Sequence, residues 1–458
     1  MSRYIPLHPR LRRAVAVGVA LVFSAFLLRY TVGAGASEAD VGINPHPVHL
    51  QRPHDQPLSA AALLGRQIFF DARLSASGRQ SCASCHSPGH AYGPPTGASV
   101  QLGGVADGMQ GGRAVPGLRY LYRTPNFSIG PDDMSKENVD LVQMASQAVG
   151  TARSQKTVGS AASAVAMVPQ GGLFWDGREN TFQSQAMGPL LNPVEMANKD
   201  VAAVAAKLRK APYAAGFAQL FGPAILNTPS RLVDEAMFAV ARYEVEDPSF
   251  HPYTSKYDYW LEGRAQLTAS ELHGLRLFED KDRANCAGCH LDRPGKDGTP
   301  PMFTDFQYEA LGVPRNRNLK LNGDWRYYDL GLCGPVRSDL KSQTQYCAMF
   351  RTPSLRNTAT RQVFFHNGVY HSLDQVLAFY DFRDTDPDKV YPHDRTGKVE
   401  KFDDVPKAYL RNVDITDPPF DRKAGDQPAM SEADMRDIVA FLKTLDDGYQ
   451  PDGQGAAR

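Results

Sequence analysis

The chain has 458 residues, of which 42% are hydrophobic, and its 50 basic and 50 acidic residues give a formal net charge of zero. This length suits two domains with substantial cores, and the balanced charge argues against nucleic acid as a partner. The 39 glycines and 33 prolines favour a fold that is rich in loops.

The N-terminus has the pattern of an export signal. Four arginines precede an apolar run from Ala14 to Leu28, and residues 34–36 (Ala-Gly-Ala) offer a small-residue cleavage site. Residues 1–36 are therefore expected to be either a cleaved signal peptide or a retained membrane anchor, followed by a linker over residues 37–54. Both alternatives place the folded part in the periplasm, and only the second involves the membrane.

Two copies of the pattern Cys-x-x-Cys-His are the most specific feature of the chain. Cys82 and Cys85 are followed by His86 in the first copy, and Cys286 and Cys289 by His290 in the second. In c-type haem attachment, two thiols add to the porphyrin vinyl groups and the adjacent histidine binds the iron. A redox pair or half of a zinc site would leave the histidine unexplained in both copies. The sequence therefore predicts two covalently bound c-type haems, with His86 and His290 as iron ligands.

The segments around the motifs indicate a divergent internal repeat. Residues 64–71 and 273–280 each read as a short amphipathic helix that leads into a motif, and helical periodicity recurs at 201–210, 231–245 and 435–445. Strand alternation is scarce. We expect a mainly α fold of two cytochrome c-like haem domains with long loops, at residues 55–248 and 249–448, and a tail at 449–458.

The two remaining cysteines are Cys333 and Cys347. Export favours a disulfide, because free thiols are liable in an oxidising compartment and two cysteines alone are too few for a structural zinc site. The loop between them is polar and contains proline, so the bond would order a segment with little core of its own.

Several further motifs resemble the bacterial di-haem cytochrome c peroxidase and MauG superfamily. The resemblance covers about residues 58–445 and is carried by Phe174-Trp175-Asp176-Gly177-Arg178, Gln185 to Pro189, Asn192 to Met196, Arg351 to Asn357, and His366-Asn367-Gly368. It implies that the first haem reduces peroxide, that the second relays electrons, and that a tryptophan lies between them.

The resemblance assigns Glu195 to the open face of the first haem as acid/base. Peroxide must lose a proton from its inner oxygen and gain one on its outer oxygen, and one carboxylate within reach of both can do this. Gln185 would orient Glu195, and Pro189 would shape the distal wall. The alternative for Glu195 is a solvated surface carboxylate, the usual location of a glutamate.

Trp175 is assigned by the resemblance to electron relay between the haems. A tryptophan after Phe174 can equally fill a core, and both descriptions can hold together. Trp260 and Trp325 carry no comparable motif and are expected to be packing residues.

At the distal position of the second haem, the typical peroxidases of this family have methionine, whereas alignment from His366 places Tyr380 here, as in MauG-type enzymes. Residues 372–375 resemble a helix cap, and Tyr380 then shares an apolar face with Leu373 and Leu377. The alternative is a core tyrosine, with Met349 as the next candidate ligand. A tyrosine oxygen would stabilise ferric and higher iron.

Two family features are missing from the sequence. The loop at 103–117 contains no inhibitory histidine, and the nearest one, His90, is expected to be a loop residue or a haem propionate contact, so the first haem should be open without reductive activation. The family's calcium site between the domains is also in doubt, because the corresponding segments begin with Arg113 and Arg361.

These features predict a periplasmic di-haem peroxidase that reduces hydrogen peroxide to water through a high-valent iron intermediate shared between the haems. A small cytochrome or copper protein would supply the electrons. The alternatives are a MauG-like oxidase that modifies tryptophan or tyrosine of a protein substrate, and a plain di-haem electron carrier. Glu195 argues against the carrier.

Overall fold

The computed structural model describes residues 42–131 and 167–451 of the chain. The described part is mainly helical, as the sequence predicts. Its α-helices are α1 (Ala60–Phe69), α2 (Cys82–Cys85), α3 (Phe182–Leu191), α4 (Val201–Leu208), α5 (Ala214–Phe221), α6 (Pro229–Glu246), α7 (Lys256–Leu261), α8 (Ala269–Glu279), α9 (Leu373–Thr385) and α10 (Glu432–Lys443). Short 3-10 helices lie at Ala72–Leu74, Pro88–His90, Leu121–Arg123, Pro223–Asn227, Pro248–Phe250, Cys286–Gly288, Lys320–Gly323, Thr344–Tyr346, Thr358–Thr360, Pro387–Lys389 and Lys407–Asn412.

The strands within these ranges are short and form three separate antiparallel pairs. They are β1 (Leu102–Gly103) with β2 (Met109–Gln110), β3 (Ser128–Pro131) with β4 (Met167–Gln170), and β5 (Tyr308–Glu309) with β6 (Phe350–Arg351). Each pair joins two loop segments through backbone hydrogen bonds. Two of the pairs include residues of segments named in the sequence analysis. Gly103 begins the loop at 103–117, and Arg351 begins a family motif.

The first hydrophobic core is built around α1 and α6. Gly65 lies where these helices cross, because a Cβ at this position would come within 1.8 Å of the Ala239 carbonyl oxygen. Only glycine allows this close approach of two helix backbones. The helix that leads into the first Cys-x-x-Cys-His motif is thereby fixed against the core, which includes Ile68, Phe69, Val233, Ala236, Val240 and Phe250.

The second core repeats this arrangement with α8 and α10. Gly274 lies at their crossing, and a Cβ there would come within 2.0 Å of the Asp437 carbonyl oxygen. Capping boxes begin both helices, at Thr268 with Glu271 and at Ser431 with Asp434. The apolar stripe of α10 packs inward among residues that include Leu275, Phe278, Ile438, Phe441 and Leu442.

The segment expected to be a linker lies along the second core. Trp260 Nε1 donates a 3.0 Å hydrogen bond to the Gly42 carbonyl, and Val48 N bonds the Leu261 carbonyl at 2.9 Å. Arg52 forms an ion pair with Glu262 at 2.5 Å. The described part of residues 37–54 is therefore held by the C-terminal half of the chain.

The structure tests the predictions made for the two remaining cysteines and for Trp260 and Trp325. Cys333 and Cys347 form the predicted disulfide, with Cα atoms 5.0 Å apart. Trp260 is buried, as expected, but the packing role predicted for Trp325 is wrong, because that residue is 76% exposed.

The predicted export signal, residues 1–36, lies outside the described residues. In the described ranges, 42–131 and 167–451, no helix is long and apolar enough to cross a membrane.

Candidate active site at two haem-attachment motifs

The first motif places a neutral imidazole ready to bind iron. Cys82 and Cys85 lie on α2, and His86 follows with its Nδ1 3.1 Å from the Tyr92 carbonyl oxygen. A carbonyl oxygen only accepts, so Nδ1 carries the proton and Nε2 keeps its lone pair. Burial lowers the pKa of His86 to about 4, which keeps the ring uncharged.

The second motif also holds a neutral imidazole, although its backbone conformation differs from that of the first motif. Cys286 begins a 3-10 turn that follows Asn285, whose φ of 47° is left-handed. His290 Nδ1 lies 3.0 Å from the Phe303 carbonyl oxygen, and burial lowers the pKa of His290 to about 4. Both histidines therefore have the backbone partner that fixes an iron ligand in one tautomer and orientation.

The four motif thiols are held in the protonated form. Burial raises the pKa of Cys82 to about 12, of Cys85 to about 11 and of Cys286 to about 12, and it raises that of Cys289 further. Redox-active Cys-x-x-Cys pairs have lowered thiol pKa values, and zinc requires thiolates. The environment of these cysteines suits haem attachment better than either alternative.

A cavity of about 540 Å³ extends from the second motif towards the first half of the chain. Cys286, Cys289 and His290 line one side, and Tyr380 lines it from α9. Apolar side chains make up much of the remaining wall, as a porphyrin requires. Trp175, Gly93 and Arg361 lie where the cavity meets the first half of the chain.

Tyr380 is the predicted distal residue that faces this cavity. Its ring lies between Phe420, at 5.3 Å between centroids, and Phe365, at 6.3 Å. Burial and the nearby motif thiols raise the pKa of Tyr380. Met349, the other candidate, packs against a separate cluster with Leu332 and Tyr346. The structure therefore brings Tyr380, and not Met349, to the second motif.

Trp175 lies in a tight hairpin between the two halves. Its indole Nε1 donates a 2.8 Å hydrogen bond to the Ala114 carbonyl, and its own carbonyl accepts one of 2.9 Å from Arg351 N. The turn needs Gly177, whose φ is 62° and whose Cβ would collide with the Tyr308 hydroxyl. Trp175 is half-buried, lies outside the hydrophobic cores of the described residues and reaches the cavity, so the core-filling alternative is not supported and the relay role stays a prediction.

Glu195 is held beside the first motif by a glycine-rich strand. Gly104 N donates a 2.7 Å hydrogen bond to the Glu195 carbonyl, and a Cβ on Gly103 would come within 2.8 Å of Glu195 Cα. The charge of Glu195 contributes to the raised pKa of Cys85, which shows that the two side chains are close. The predicted acid/base residue and the first motif are therefore brought together.

Glu195 is an exposed residue, as its surface-carboxylate alternative expects, while protein atoms lie close enough to its carboxyl group to desolvate it. Burial raises its pKa, while the charge of Arg178 and a hydrogen bond from Asn192 oppose the increase. A raised pKa makes the carboxylate a stronger proton acceptor than an ordinary glutamate. This is the property that the predicted acid/base role requires.

Asn192 holds the Glu195 side chain. Its Nδ2 donates a 2.7 Å hydrogen bond to Glu195 Oε1, whereas Gln185, the residue predicted to orient Glu195, lies buried on α3 and has no side-chain hydrogen bond to it. Sequence reasoning missed Asn192, although its position three residues before Glu195 is typical of a turn that returns on itself. Pro189 lies inside α3, and its carbonyl accepts from Met196 N, which draws the Glu195 segment towards the helix.

A buried ion network connects the Trp175 hairpin to the C-terminal half. Asp176 is fully buried and binds Arg113 at 2.7 Å and Arg178 at 2.8 Å. Arg113 also binds Asp329 at 2.6 Å. Because each buried charge has opposite partners, the network fixes the hairpin between the two halves.

Comparison with known proteins identifies the family. A family model described as di-haem cytochrome c peroxidase matches residues 59–266. The methylamine utilization protein MauG of Paracoccus denitrificans (strain Pd 1222) is 32% identical over 411 residues, which cover 87% of this chain and 91% of that protein. The chain belongs to the di-haem cytochrome c peroxidase and MauG family. The resemblance noted in the sequence is confirmed.

Other members of the family are similar over most of the chain. Cytochrome c551 peroxidase of Nitrosomonas europaea is 25% identical over 352 residues, 77% of this chain and 81% of that protein. The solved structure of the diheme peroxidase BthA from Burkholderia thailandensis E264 has a TM-score of 0.72 and 36% identity, and it covers 86% of this chain and 87% of that chain. Family membership implies two c-type haems and makes the protein an oxidoreductase.

The inter-domain calcium site of the family does not fit the residues found here. The Val115 carbonyl, in one of the two corresponding segments, accepts a 2.9 Å hydrogen bond from Arg361 Nη2 in the other. A guanidinium at this carbonyl would repel a divalent cation. Across residues 42–131 and 167–451, no group of three or more His, Cys, Asp or Glu side chains could hold a metal ion. His90 lines the nearby cavity, with its Nδ1 3.1 Å from Ser87 Oγ.

Proposed function

We propose that this protein is a periplasmic di-haem peroxidase that reduces hydrogen peroxide to water with electrons from a small redox protein. The observation that carries the proposal is the Glu195 carboxyl, held by Asn192 beside the first motif in surroundings that raise its pKa. A protein that only carried electrons would have no use for a proton-transferring group at this position.

The two motifs would hold their haems through thioether bonds from Cys82, Cys85, Cys286 and Cys289, with His86 and His290 as iron ligands. The protonated thiols and the fixed imidazole tautomers support this assignment. When bound, the haems supply the iron that binds peroxide and the redox centres that pass electrons to it.

The reaction consumes hydrogen peroxide, two electrons and two protons and yields two waters; the donor protein is oxidised and peroxide is reduced. Glu195 would accept the proton of one peroxide oxygen and return it to the other, which would leave as water, and the remaining oxygen would take up the two electrons and two protons to form the second water. Asn192 keeps the Glu195 carboxylate in the orientation that proton transfer requires, and Pro189 shapes the distal wall of the first haem site. Trp175 mediates electron transfer between the halves, because its indole lies at the cavity between them.

We further propose that residues 55–248 and 249–448 are two cytochrome c-like domains related by an internal repeat. The matching roles of Gly65 and Gly274 support this, since each lies on the helix before a haem motif and each allows a close crossing with a later helix of the same core. Two separate hydrophobic cores, one with members up to Phe250 and the other formed by Leu50 together with residues from Tyr257 onwards, also support the division.

A MauG-like oxidase that acts on tryptophan or tyrosine of a partner protein is the second candidate. The observation that favours it is that Tyr380 lines the cavity at the second motif, since the family resemblance aligns this residue with the distal position where typical peroxidases have methionine. An oxygen donor at this position would favour storage of oxidising equivalents at the second haem.

The deciding experiment uses protein from a host that matures c-type cytochromes in the periplasm. Mass spectrometry should find two covalent haems, and steady-state peroxide consumption should be supported by a reduced small cytochrome as electron donor. The as-purified ferric protein should show one high-spin haem and react without pre-reduction. Peroxide turnover that no reduced donor supports, combined with oxidation of tryptophan in an added protein, would favour the second candidate instead.

A further inference from the structure

Arg361 is a half-buried cation that contacts both halves of the protein, and no carboxylate of the described residues pairs with it. It follows the 3-10 turn Thr358–Thr360 of the C-terminal half and reaches the loop after the first haem motif. Its Nη2 donates to the Val115 carbonyl at 2.9 Å, and its Nε lies 3.3 Å from the Val363 carbonyl. Within the described parts of the chain, no acidic side chain pairs with it, in contrast to Arg113 with its two aspartates.

The surroundings of Arg361 make room for its guanidinium. A Cβ on Gly93 would come within 3.3 Å of Arg361 Nη1, so the loop after the first motif passes this arginine at a glycine. Arg361 also lines the cavity at the second motif, to which His90 and Gly93 contribute from the loop after the first motif.

Buried charges in proteins are paired, and the cost of leaving one unpaired is large. The protein supplies two carbonyls to Arg361 but no described carboxylate, and each haem brings two propionate carboxylates. An arginine fork suits a carboxylate better than any other common group. The same guanidinium donates a hydrogen bond to the Val115 carbonyl, in the segment where the family's calcium ion does not fit the residues present.

We infer that the guanidinium of Arg361 is a built-in cation between the two haem sites, where it binds a haem propionate and takes the place of a bound calcium ion. The inference rests on the proposed haem sites. Its consequence is that the redox properties of this protein do not depend on calcium, whereas removal of one side chain changes them.

The test compares wild-type holoprotein with Arg361→Gln, which removes the charge, and Arg361→Lys, which keeps it without the planar fork. Arg326→Gln is the matched control, because its side chain is 72% exposed on the surface. Haem content is measured first, since a chain without two haems would refute the proposed function and not this inference alone. Calcium is then measured by mass spectrometry before and after dialysis against EGTA, and both haem potentials are titrated.

We expect far less than one calcium per chain, potentials that EGTA leaves unchanged, and a lower potential of the first haem in Arg361→Gln, because loss of a nearby positive charge favours ferric iron. Arg361→Lys should lie between that variant and wild type, and Arg326→Gln should match wild type. Stoichiometric calcium whose removal shifts the potentials would overturn the inference. So would unchanged potentials in Arg361→Gln. If that variant does not accumulate with haem, the calcium measurement on wild type decides.

Discussion

Asn192 Nδ2 donates a 2.7 Å hydrogen bond to Glu195 Oε1, and this contact joins the end of α3 to the proposed acid/base residue. The Asn192 carbonyl also accepts a 3.0 Å hydrogen bond from Glu195 N. Side chain and backbone therefore fix the carboxylate from the same residue. Variants of Glu195 and Asn192 therefore test the proposed acid/base role.

Glu195→Gln should retain both haems and lose most peroxide turnover, because an amide cannot shuttle the proton. Removal of a general acid/base typically costs about 10²–10⁴-fold in rate. Since a carboxylate must accept the first proton, wild-type kcat/KM should fall as the pH drops through the raised pKa of Glu195, and this acid limb should be absent in the variant. Glu432→Gln is the control, with a side chain that is 88% exposed. Turnover within a few-fold of wild type would show that another group transfers the proton.

Asn192→Ala should move the acid limb to higher pH, because the lost hydrogen bond stabilises the charged carboxylate. Hydrogen bonds to charged groups contribute about 1.5–3 kcal/mol, so kcat/KM on the acid side of the limb should fall about tenfold. Gln185→Leu should leave the limb in place. Full pH profiles of both variants distinguish the two residues. If Gln185→Leu moves the limb and Asn192→Ala does not, the orienting role predicted from the sequence belongs to Gln185.

Tyr380→Phe should alter the low-spin electron paramagnetic resonance signal of the second haem and leave the ring packing between Phe365 and Phe420 intact. The variant removes only the oxygen that would bind iron. Met349→Leu should give the wild-type spectrum, because Met349 packs away from the cavity. An unchanged signal in Tyr380→Phe would remove this residue from the iron ligands. Peroxidase activity, which depends on Glu195 and the first haem, would survive that outcome.

Replacement of both Cys333 and Cys347 by serine should lower the free energy of unfolding by about 2–4 kcal/mol, because the unfolded chain loses a constraint on its loop. Both cysteines are buried, and neither belongs to a haem motif. Haem content and the Soret spectrum should therefore equal those of wild type. Denaturant titration measures the loss. A variant as stable as wild type would show that the loop is held by other contacts.

Glu244 predicts a pH dependence of stability. Its carboxyl is buried on α6 near Cys82, Oε2 has no described hydrogen-bond partner, and burial raises its pKa to about 8. A raised native pKa contributes stability that is present below the unfolded pKa and is lost as the pH rises through the native one. Glu244→Gln should thus raise the free energy of unfolding at pH 7 by up to about 3 kcal/mol and flatten its decline between about pH 4.5 and 8.

The matched control for this experiment is Glu246→Gln on the same helix. The Glu246 carboxylate binds Arg242 and Ser59, and these hydrogen bonds lower its pKa against the opposing effect of burial. Its replacement should change the free energy of unfolding by less than about 1 kcal/mol at neutral pH, with the opposite sign. Equal pH profiles for wild type and Glu244→Gln would mean that Glu244 titrates normally in the native protein.

The sequence by itself determined the local and covalent features of this protein. The Cys-x-x-Cys-His spacing specifies haem chemistry within five residues, and the helices before both motifs follow from apolar periodicity and capping residues that act over one or two turns. The disulfide could be predicted because only Cys333 and Cys347 remained outside the motifs. Each of these inferences depends on residues that are close in the chain or scarce in it.

Only the tertiary structure decided which distant groups meet. The choice of Tyr380 over Met349 depends on how α9 packs against the second motif, and the exposure of Trp325 depends on where the fold places its loop. Asn192, rather than Gln185, holds Glu195 because the chain turns after α3. The contact of Arg361 with Val115 joins residues from opposite halves, and long-range packing of this kind leaves no periodic signal in the sequence.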